Sequence, residues 1–175
     1  MPGEVSSRRS FYFLQGNASW FYRRLGEALA AQGDAVRRVN FCGGDRHFWG
    51  DWQAVDFAGR REDLPGFLSE EFRRHNVDTL VMFGDCRWLH RDAIDLARQR
   101  GLDVQVFEEG YLRPNWLTLE RHGVNGYSRL PDDPAWYRAA ARRLPAAAAA
   151  APVGAGLARR IFYDFQWQAW NYLKP

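Results

Sequence analysis

The chain has 175 residues, of which 46% are hydrophobic and 15% are aromatic. That length and apolar fraction suit one domain with a hydrophobic core, and they exclude a mostly disordered chain. The net charge is only +3, and the basic residues are spread along the sequence without a recognised nucleic-acid-binding module, so nucleic acid is not an expected partner. No run approaches the roughly 18 apolar residues that a membrane-spanning helix needs.

The N-terminus and the cysteines bear on the compartment and on metal binding. Residues 1–9 carry charge without the apolar segment of a secretory signal, and we interpret them as a disordered leader. Cys42 and Cys86 are too few for a disulfide framework and lack the spacing of a zinc site. We therefore expect free thiols in a reducing cytoplasm and no metal site.

The predicted secondary structure alternates between strands and helices. In chain order, we predict a strand at residues 11–14, a helix at 20–30 that Gly33 ends, strands at 35–41 and 54–57, a helix at 62–75, a strand at 79–83, a helix at 90–100, strands at 103–107 and 117–120, and a helix at 133–143. Such alternation indicates βαβ units with right-handed crossovers. The predicted fold class is α/β, with a Rossmann-like parallel sheet flanked by helices.

The composition also divides the chain into segments. We assign residues 10–144 to one Rossmann-like domain and residues 145–156, which are rich in Ala, Pro and Gly, to a linker. Residues 157–175 are predicted to form an aromatic helix. The aromatic side chains of this helix either pack on this domain or on a missing one, or they meet a membrane surface. Packing is favoured because they surround the helix without leaving one clean polar face.

Glycine and polar side chains follow four of the predicted strands. In an open α/β sheet, ligands bind outside the carboxyl ends of the strands. We therefore expect these residues to converge on one rim and to form a wall of a cleft. The candidates are Gln15, Gly16, Asn17 and Ser19 after the first strand, Gly43, Gly44 and Asp45 after the second, Asp85 and Arg87 after the fourth, Glu108, Glu109 and Gly110 after the fifth, and Arg113 and Asn125 further along.

The first two of these loops each have two interpretations. Residues 15–19 either present backbone N–H groups to an anion at a helix N-terminus or form an ordinary turn in which Ser19 caps the helix; they do not match the G-x-G-x-x-G dinucleotide pattern. Residues 43–45, with aromatic residues at 47–49, join a flexible turn to a carboxylate and aromatic faces, which suits a carbohydrate site. The alternative is a surface loop whose aromatic side chains pack on the core.

The later loops carry the charged candidates. Asp85 is a candidate acceptor of hydrogen bonds from a sugar hydroxyl, and Arg87 is a candidate partner for a carboxylate or phosphate; the alternative is an ion pair between them. Of the adjacent Glu108 and Glu109, one is expected to face the cleft as a general acid or base while the other braces the loop, because successive side chains of an extended segment point to opposite sides. Arg113 either binds an anionic substrate or neutralises a carboxylate in a structural salt bridge.

Several of these segments occur together, in the same order, in one known family. They are Phe13-Leu14-Gln15-Gly16, Arg38-Val39-Asn40-Phe41 with Gly43-Gly44-Asp45 and Phe48-Trp49, Phe83-Gly84-Asp85-Cys86-Arg87, His90-Arg91, Val106-Phe107-Glu108-Glu109-Gly110-Tyr111-Leu112-Arg113-Pro114, Leu117-Thr118-Leu119-Glu120, Gly123-Val124-Asn125-Gly126 and Leu130-Pro131. Over residues 10–137, the chain resembles the capsular polysaccharide biosynthesis and export proteins that act as β-Kdo transferases.

The resemblance implies the N-terminal half of a GT-B glycosyltransferase, in which two Rossmann-like domains face each other across a cleft. It implies transfer of the sugar Kdo from CMP-Kdo, with retention of configuration, to a phosphatidylglycerol-type lipid acceptor; CMP-Kdo is a substrate, so no cofactor is expected. Retention through two displacements requires a carboxylate nucleophile and an acid/base group. The catalytic candidates are Glu108, Glu109 and Asp85, whereas the nucleophile and the CMP-binding region are expected beyond residue 175, so that the chain alone would be inactive.

The resemblance also implies a location and partners. We expect a cytoplasmic protein, peripheral on the cytoplasmic face of the inner membrane, with the capsule export machinery and a second Kdo transferase as partners. Two alternatives from other classes stay open: a non-catalytic adaptor of the export complex, and an unrelated Rossmann-type domain that binds a nucleotide or sugar.

Overall fold

The computed structural model describes residues 8–110, 116–146 and 154–173. These residues form six strands and six α-helices, with single 3-10 turns at Arg61–Asp63 and Asn125–Tyr127. The strands are β1 (Ser10–Phe13), β2 (Ala35–Asn40), β3 (Ala54–Asp56), β4 (Thr79–Phe83), β5 (Asp103–Glu109) and β6 (Leu117–Arg121). The helices are α1 (Phe21–Ala31), α2 (Gly43–Trp49), α3 (Leu64–Arg74), α4 (Trp88–Gln99), α5 (Pro134–Ala141) and α6 (Gly154–Leu173).

The strands form one sheet in the order β3-β2-β1-β4-β5-β6. Strands β1 to β5 pair in parallel, and β6 runs antiparallel to β5 at one edge. The order reverses between β1 and β4, which is the switch point of a Rossmann-like sheet. The α/β class with helices flanking a mostly parallel sheet is therefore confirmed. Strand β6 is antiparallel, whereas a parallel sheet was predicted. The connection between β5 and β6, residues 110–116, is too short for the crossover that parallel strands need, which takes about a dozen residues.

The two faces of the sheet carry separate apolar clusters. Side chains alternate along β1, so that Tyr12 and Leu14 belong to the cluster under α3 and α4, whereas Phe11 and Phe13 belong to the cluster under α1 and α2. Strand β4 is buried at every position, as expected for a central strand covered on both faces. Burial of each large apolar side chain contributes about 1.5–3 kcal/mol, so these two clusters hold the layers together.

Three predicted boundaries differ from the structure in ways that affect the site. Residues 43–45 are the first turn of α2 rather than a loop. Glu108 and Glu109 belong to β5, where they pair with Thr118 and Leu117 of β6, so the acidic pair continues the strand instead of following it. Helix α6 begins at Gly154, inside the predicted linker.

The predicted leader and linker are described only in part. Arg9 is ordered, since its backbone N–H donates to Asp34 Oδ1 (3.0 Å) and its guanidinium pairs with Asp103 (3.3 Å). Residues 1–7 of the predicted leader, the segment 147–153 of the predicted linker, and Arg113 lie outside the described residues.

Helix α6 packs across α2 through aromatic and polar contacts. The Trp170 ring stacks on His47 with centroids 5.0 Å apart, and the Trp167 ring stacks on Phe48 at 6.1 Å. The Asn171 Oδ1 atom accepts a hydrogen bond from the backbone N–H of Gly44 (2.7 Å). One side of α6 is therefore held by this domain, as the packing interpretation predicts.

The opposite side of α6 is open and apolar. Leu157, Ile161 and Phe165 follow one another at intervals of four residues and are all more than half exposed. Within the described residues, no helix combines the length and the apolar character that crossing a bilayer requires.

Candidate functional site

A cavity of about 450 Å³ opens at the carboxyl ends of β1, β4 and β5, beside the switch point of the sheet. Its walls come from the segments after β1 and β4, from the end of β5, and from α6. The lining residues are Gly16, Asn17, Ala18, Phe83, Gly84, Asp85, Cys86, Arg87, Glu108, Glu109, Asp164, Trp167 and Gln168. Members of three of the four predicted loops are therefore brought together, because the carboxyl ends of neighbouring parallel strands meet at one edge.

A smaller cavity of about 270 Å³ lies at the opposite edge, near Ser10 and Ala35, where β1 and β2 begin. Ligands of open α/β sheets bind at the carboxyl ends of the strands. The larger cavity also holds the charged side chains described below, so we take it as the candidate site.

Arg87 is the positively charged side chain of the cavity lining. It is exposed, and its guanidinium donates a hydrogen bond to the side-chain oxygen of Gln15. Within the described residues, no carboxylate lies within ion-pair distance of it, so the alternative of an Asp85–Arg87 ion pair is wrong. An arginine held by a neutral amide keeps its charge available for a carboxylate or phosphate.

Asp85 is 1% exposed, and its carboxylate accepts a hydrogen bond from the backbone. Its Oδ2 accepts the N–H of Val124 (2.9 Å), and its Oδ1 accepts the thiol of Cys86 (3.3 Å). The bond to Asp85 is the main reason why the pKa of Cys86 is raised, so this thiol stays protonated. Asp85 thus ties the segment after β6 to the end of β4; its catalytic role stays a prediction.

The acidic pair at the end of β5 contributes both of its members to the cavity lining, where the alternation of side chains predicted one. Glu108 Oε1 accepts the N–H of Glu109 (2.8 Å), and both residues are half-buried. Glu109 pairs with Arg160 of α6 at 2.5 Å. Glu109 therefore also braces the wall, with α6 as its partner.

The segment after β1 forms a tight local turn. Ser19 Oγ donates to Asn17 Oδ1 (2.9 Å) and accepts the N–H of Phe21 (3.2 Å), the first residue of α1. Gly16 is needed here, since a Cβ atom would lie 2.9 Å from the Tyr22 ring. Asn17 lines the cavity, and Ser19 supports the turn that holds it. The residue directly before α1 is Trp20, so the N-cap position lies one residue after the predicted Ser19.

The segment after β2 does not reach the cavity, contrary to the prediction for Gly43, Gly44 and Asp45. Asp45 is 0% exposed, and its Oδ1 pairs with Arg38 at 2.5 Å. Trp167 covers Gly44 so closely that a Cβ atom would lie 2.5 Å from its ring. Burial, together with Asp45, raises the pKa of the neighbouring Cys42 thiol to about 11. This corner is part of the core because α6 closes over it.

His90 lies at the start of α4 and is 0% exposed. Neither of its ring nitrogens has a well-formed hydrogen bond, although the backbones of Gly84 and Gln15 are near enough to favour its charged form slightly. Burial outweighs them and lowers the pKa of His90 to about 3. A neutral imidazole therefore lies beside Gln15 and beside Gly84, which lines the cavity.

Two further predicted residues lie away from the cavity. Asn125 is in the exposed 3-10 turn after β6 and has a φ of 51°. Gly110 is buried, and its N–H donates to Trp116 O (2.7 Å) where β5 passes to β6. A Cβ atom there would lie 2.7 Å from that same oxygen, so this glycine permits the close approach of the two backbones.

The sequence reasoning missed the wall that α6 provides. Asp164, Trp167 and Gln168 line the cavity, and Trp167 is fixed between Gly44 and Phe48. The one available signal was the aromatic character of the helix. That character indicates packing but does not identify the surface on which the helix packs.

The family model of the capsule polysaccharide biosynthesis proteins matches residues 78–175, more than half of the chain. The chain belongs to this family. The resemblance inferred from the motifs is therefore confirmed. The matched segment begins at the start of β4 and includes β5 and α6, so it contains three of the four walls of the cavity.

Two curated capsule polysaccharide proteins are similar to the chain. It is 39% identical over 132 residues to the capsule polysaccharide export protein KpsS of Escherichia coli, a match that covers 75% of this chain and 34% of KpsS. It is 38% identical over 129 residues to the capsule polysaccharide modification protein LipB of Neisseria meningitidis serogroup A, covering 73% of this chain and 31% of LipB. The chain thus spans about a third of the length of these relatives. No solved structure gives a significant match.

The geometry of this family member suits recognition of a polar, anionic ligand. The cavity lining combines one guanidinium without a carboxylate partner among the described residues, the half-buried carboxylates of Glu108 and Glu109, the carboxyl groups of Asp85 and Asp164, and an indole ring. Carboxylates accept hydrogen bonds from hydroxyl groups, and the guanidinium binds an oxyanion. Within the described parts of the chain, no three His, Cys, Asp or Glu side chains are arranged to hold a metal ion.

Proposed function

We propose that the chain forms the N-terminal, Rossmann-like half of a GT-B glycosyltransferase that transfers Kdo from CMP-Kdo to a phosphatidylglycerol-type lipid acceptor during capsule biosynthesis. The observation that supports this most is the cavity beside the switch point, where Arg87, Glu108 and Glu109 meet in a member of a capsule biosynthesis family. Kdo carries a carboxylate and hydroxyl groups, and the lipid acceptor carries a phosphate. Each has chemistry that these side chains can bind.

The charged residues then have separate roles. Arg87 binds the anionic group of a substrate. Glu108 accepts a proton from the acceptor hydroxyl or supports the site, because Glu109 is engaged with Arg160. Asp85 holds the cavity wall through Val124. Asn17 contributes a further polar contact at the rim.

The rest of the enzyme belongs to the part of the relatives that this chain does not match. KpsS and LipB are about three times as long as their matched segments, which leaves room for a second Rossmann-like domain. We place the CMP-binding region and the nucleophile there, and the chain alone is then inactive. The exposed apolar side of α6 is the surface that we expect this second domain to cover. The donor is a substrate, and the proposal requires no cofactor.

The proposed location follows from the proposed acceptor. A lipid acceptor requires the enzyme to work at the cytoplasmic face of the inner membrane as a peripheral protein. The capsule export machinery and a second Kdo transferase are the proposed partners, because the product must be extended and exported.

The test is a transfer assay with the whole gene product that contains this chain. Purified protein is incubated with CMP-Kdo and a phosphatidylglycerol-type acceptor, and the lipid product is measured by mass spectrometry. E108Q is expected to lower kcat by a factor of roughly 10²–10⁴, the usual contribution of a positioned acid or base, and E109Q is expected to lower it less, because Glu109 braces the wall through Arg160. R87A is expected to raise KM for the anionic substrate.

Exposed residues outside the cavity lining provide matched controls. Arg60 and Glu62 are 84% and 69% exposed, so R60A and E62Q should leave transfer unchanged. Thermal denaturation of each variant separates lost chemistry from lost folding. Unchanged turnover in E108Q, E109Q and R87A would overturn the proposed site.

A non-catalytic adaptor of capsule export is the second candidate, because KpsS is named as an export protein. It predicts that the whole protein transfers no Kdo in the assay, while its deletion still blocks appearance of capsule at the cell surface. Restoration of capsule by E108Q and R87A variants would favour this candidate.

A further inference from the structure

The buried Arg38–Asp45 pair is connected to the cavity through a single glutamine. Arg38 Nη2 donates to Asp45 Oδ1 at 2.5 Å, and Gln15 Nε2 donates to Asp45 Oδ2 at 3.1 Å. The other side-chain atom of Gln15, Oε1, accepts the hydrogen bond from Arg87. Arg87 lines the cavity, whereas Gln15 and Asp45 do not. We infer that Asp45 and Gln15 are positioning residues that hold the Arg87 guanidinium ready for an oxyanion.

The inner end of this chain of hydrogen bonds is rigid. Arg38 is 2% exposed, and its Nε donates to Asn40 Oδ1 (3.1 Å) while its guanidinium lies 5.1 Å from the centre of the Trp49 ring. Asp45 Oδ2 also accepts the backbone N–H of Phe41 (3.0 Å). These contacts lock Asp45 independently of the cavity, so that it can serve as a fixed point.

Asp45 also decides which way the Gln15 amide points. A carboxylate only accepts hydrogen bonds, so Gln15 must offer its NH₂ group to Asp45. The carbonyl oxygen of the amide is then turned toward Arg87, which only donates. The alternation of donors and acceptors therefore extends from the core to the cavity, and each member fixes the orientation of the next.

A neutral link has a consequence for the ligand. Because Gln15 is uncharged, it holds Arg87 without neutralising it, and the guanidinium keeps two-pronged binding capacity for a carboxylate or a phosphate. This inference deepens the proposed function, on which the choice of ligands rests. The shared chemistry is an oxyanion, and its source is either the carboxylate of Kdo or the phosphate of the lipid headgroup.

The experiment measures equilibrium binding to this chain, without any transfer step. Sodium Kdo and glycerol phosphate are titrated separately by isothermal calorimetry. We expect R87A to abolish binding of the preferred anion. We expect Q15M, which has nearly the shape of glutamine but forms neither hydrogen bond, and D45N to raise its Kd about tenfold, the change that corresponds to about 1.4 kcal/mol.

The matched control lies at the other end of the sheet. Gln105 Nε2 also donates to an aspartate, Asp103 Oδ2, at 2.8 Å. Q105M removes a similar bond far from the carboxyl edge, so its Kd should equal that of the wild type. The Arg87 Nη1 protons, which donate to Gln15 Oε1, report positioning directly by NMR: they should be protected from solvent exchange in the wild type and should lose that protection in Q15M.

The outcomes separate this inference from the proposed function. Wild-type affinity and an unchanged Arg87 signal in Q15M would overturn the positioning roles even if Arg87 binds the anion. Absence of binding of both anions to the wild type, or unchanged binding in R87A, would overturn the oxyanion site itself. Kdo transfer by the whole protein is decided by the separate transfer assay. Should D45N fail to fold, Q15M carries the test alone, because Gln15 lies outside the apolar core.

Discussion

Two corners of this molecule have similar sequences but different structural environments. Residues 43–45 after β2 and residues 84–87 after β4 both place glycine and aspartate just beyond a buried strand. The first corner became a helix covered by Trp167, with its aspartate paired to Arg38. The second lines the cavity, with Cys86 and Arg87 exposed although Asp85 is buried. Glycine and an acid after a strand are therefore not enough to predict a ligand loop; what packs over the loop decides.

The largest difference between the corners should appear when each acid is removed. D45A leaves the buried Arg38 without its carboxylate, and loss of one member of a buried ion pair costs about 3–5 kcal/mol. D85A removes the acid of the second corner and leaves the Val124 N–H without its acceptor, so it should cost about 1–3 kcal/mol. Urea denaturation measures both changes. Equal losses would mean that the two corners are not energetically distinct.

Replacement of the covered glycine should have the next largest effect. A Cβ atom on residue 44 would lie 2.5 Å from the Trp167 ring, so G44A should lower the free energy of unfolding by about 2–3 kcal/mol, as overpacking does. In the control, Gly66 of α3 has nothing within 4 Å of the added atom, so G66A should raise stability by about 0.5–1 kcal/mol. If G44A were as stable as G66A, α6 would not be docked as described.

Stability of the open corner should depend on pH through His90. Its pKa is about 3 in the folded protein and about 6.5 when unfolded. Between these values the unfolded chain binds a proton that the folded protein does not, so stability falls as the pH is lowered through 6.5, by about 2 kcal/mol between pH 7 and pH 5.

The variant H90Q separates His90 from the other histidines in this measurement. It should reduce the pH dependence of the free energy of unfolding, measured in urea at pH 7, 6 and 5. H122Q should reduce it less, because His122 is only partly buried. An unchanged slope in H90Q would show that this imidazole is hydrated in solution.

The smallest loss of stability is expected on removal of the hydrogen bond between Asn171 of α6 and the backbone of Gly44. N171A removes the acceptor of the Gly44 N–H bond and should cost about 1 kcal/mol, typical of a lost side-chain bond at a helix start. Hydrogen exchange at the Gly44 amide should increase in parallel. A loss as large as that of D45A would indicate that α6 and the domain unfold together.

Local patterns predicted much of the fold. The apolar run at Thr79–Phe83 and the helical spacing that Gly33 terminates with a φ of 95° were both sufficient to predict their elements. The candidate site was predicted in part: Gly16, Asn17, Asp85, Arg87 and the Glu108–Glu109 pair do meet. Asp45 was placed wrongly, because its partner Arg38 is on a strand and the pairing depends on the twist and packing of the whole corner.

The contribution of α6 was beyond sequence reasoning for a similar cause. Its aromatic residues predict that the helix is covered, but only the fold brings Trp167 onto Gly44 and Asp164 to the cavity. These contacts join residues more than 100 positions apart, and no local pattern records such a pairing.

The sequence by itself determined the class of the sheet, the family and the edge at which a site would form, because periodicity, turn residues and motif order are local properties. The tertiary structure decided that Asp45 pairs with Arg38 in the core whereas Asp85 lines the cavity, and it decided that α6 closes one corner while lining the next. The physical reason is that burial and ion pairing depend on neighbours contributed by distant segments, and these neighbours are specified only when the chain has folded.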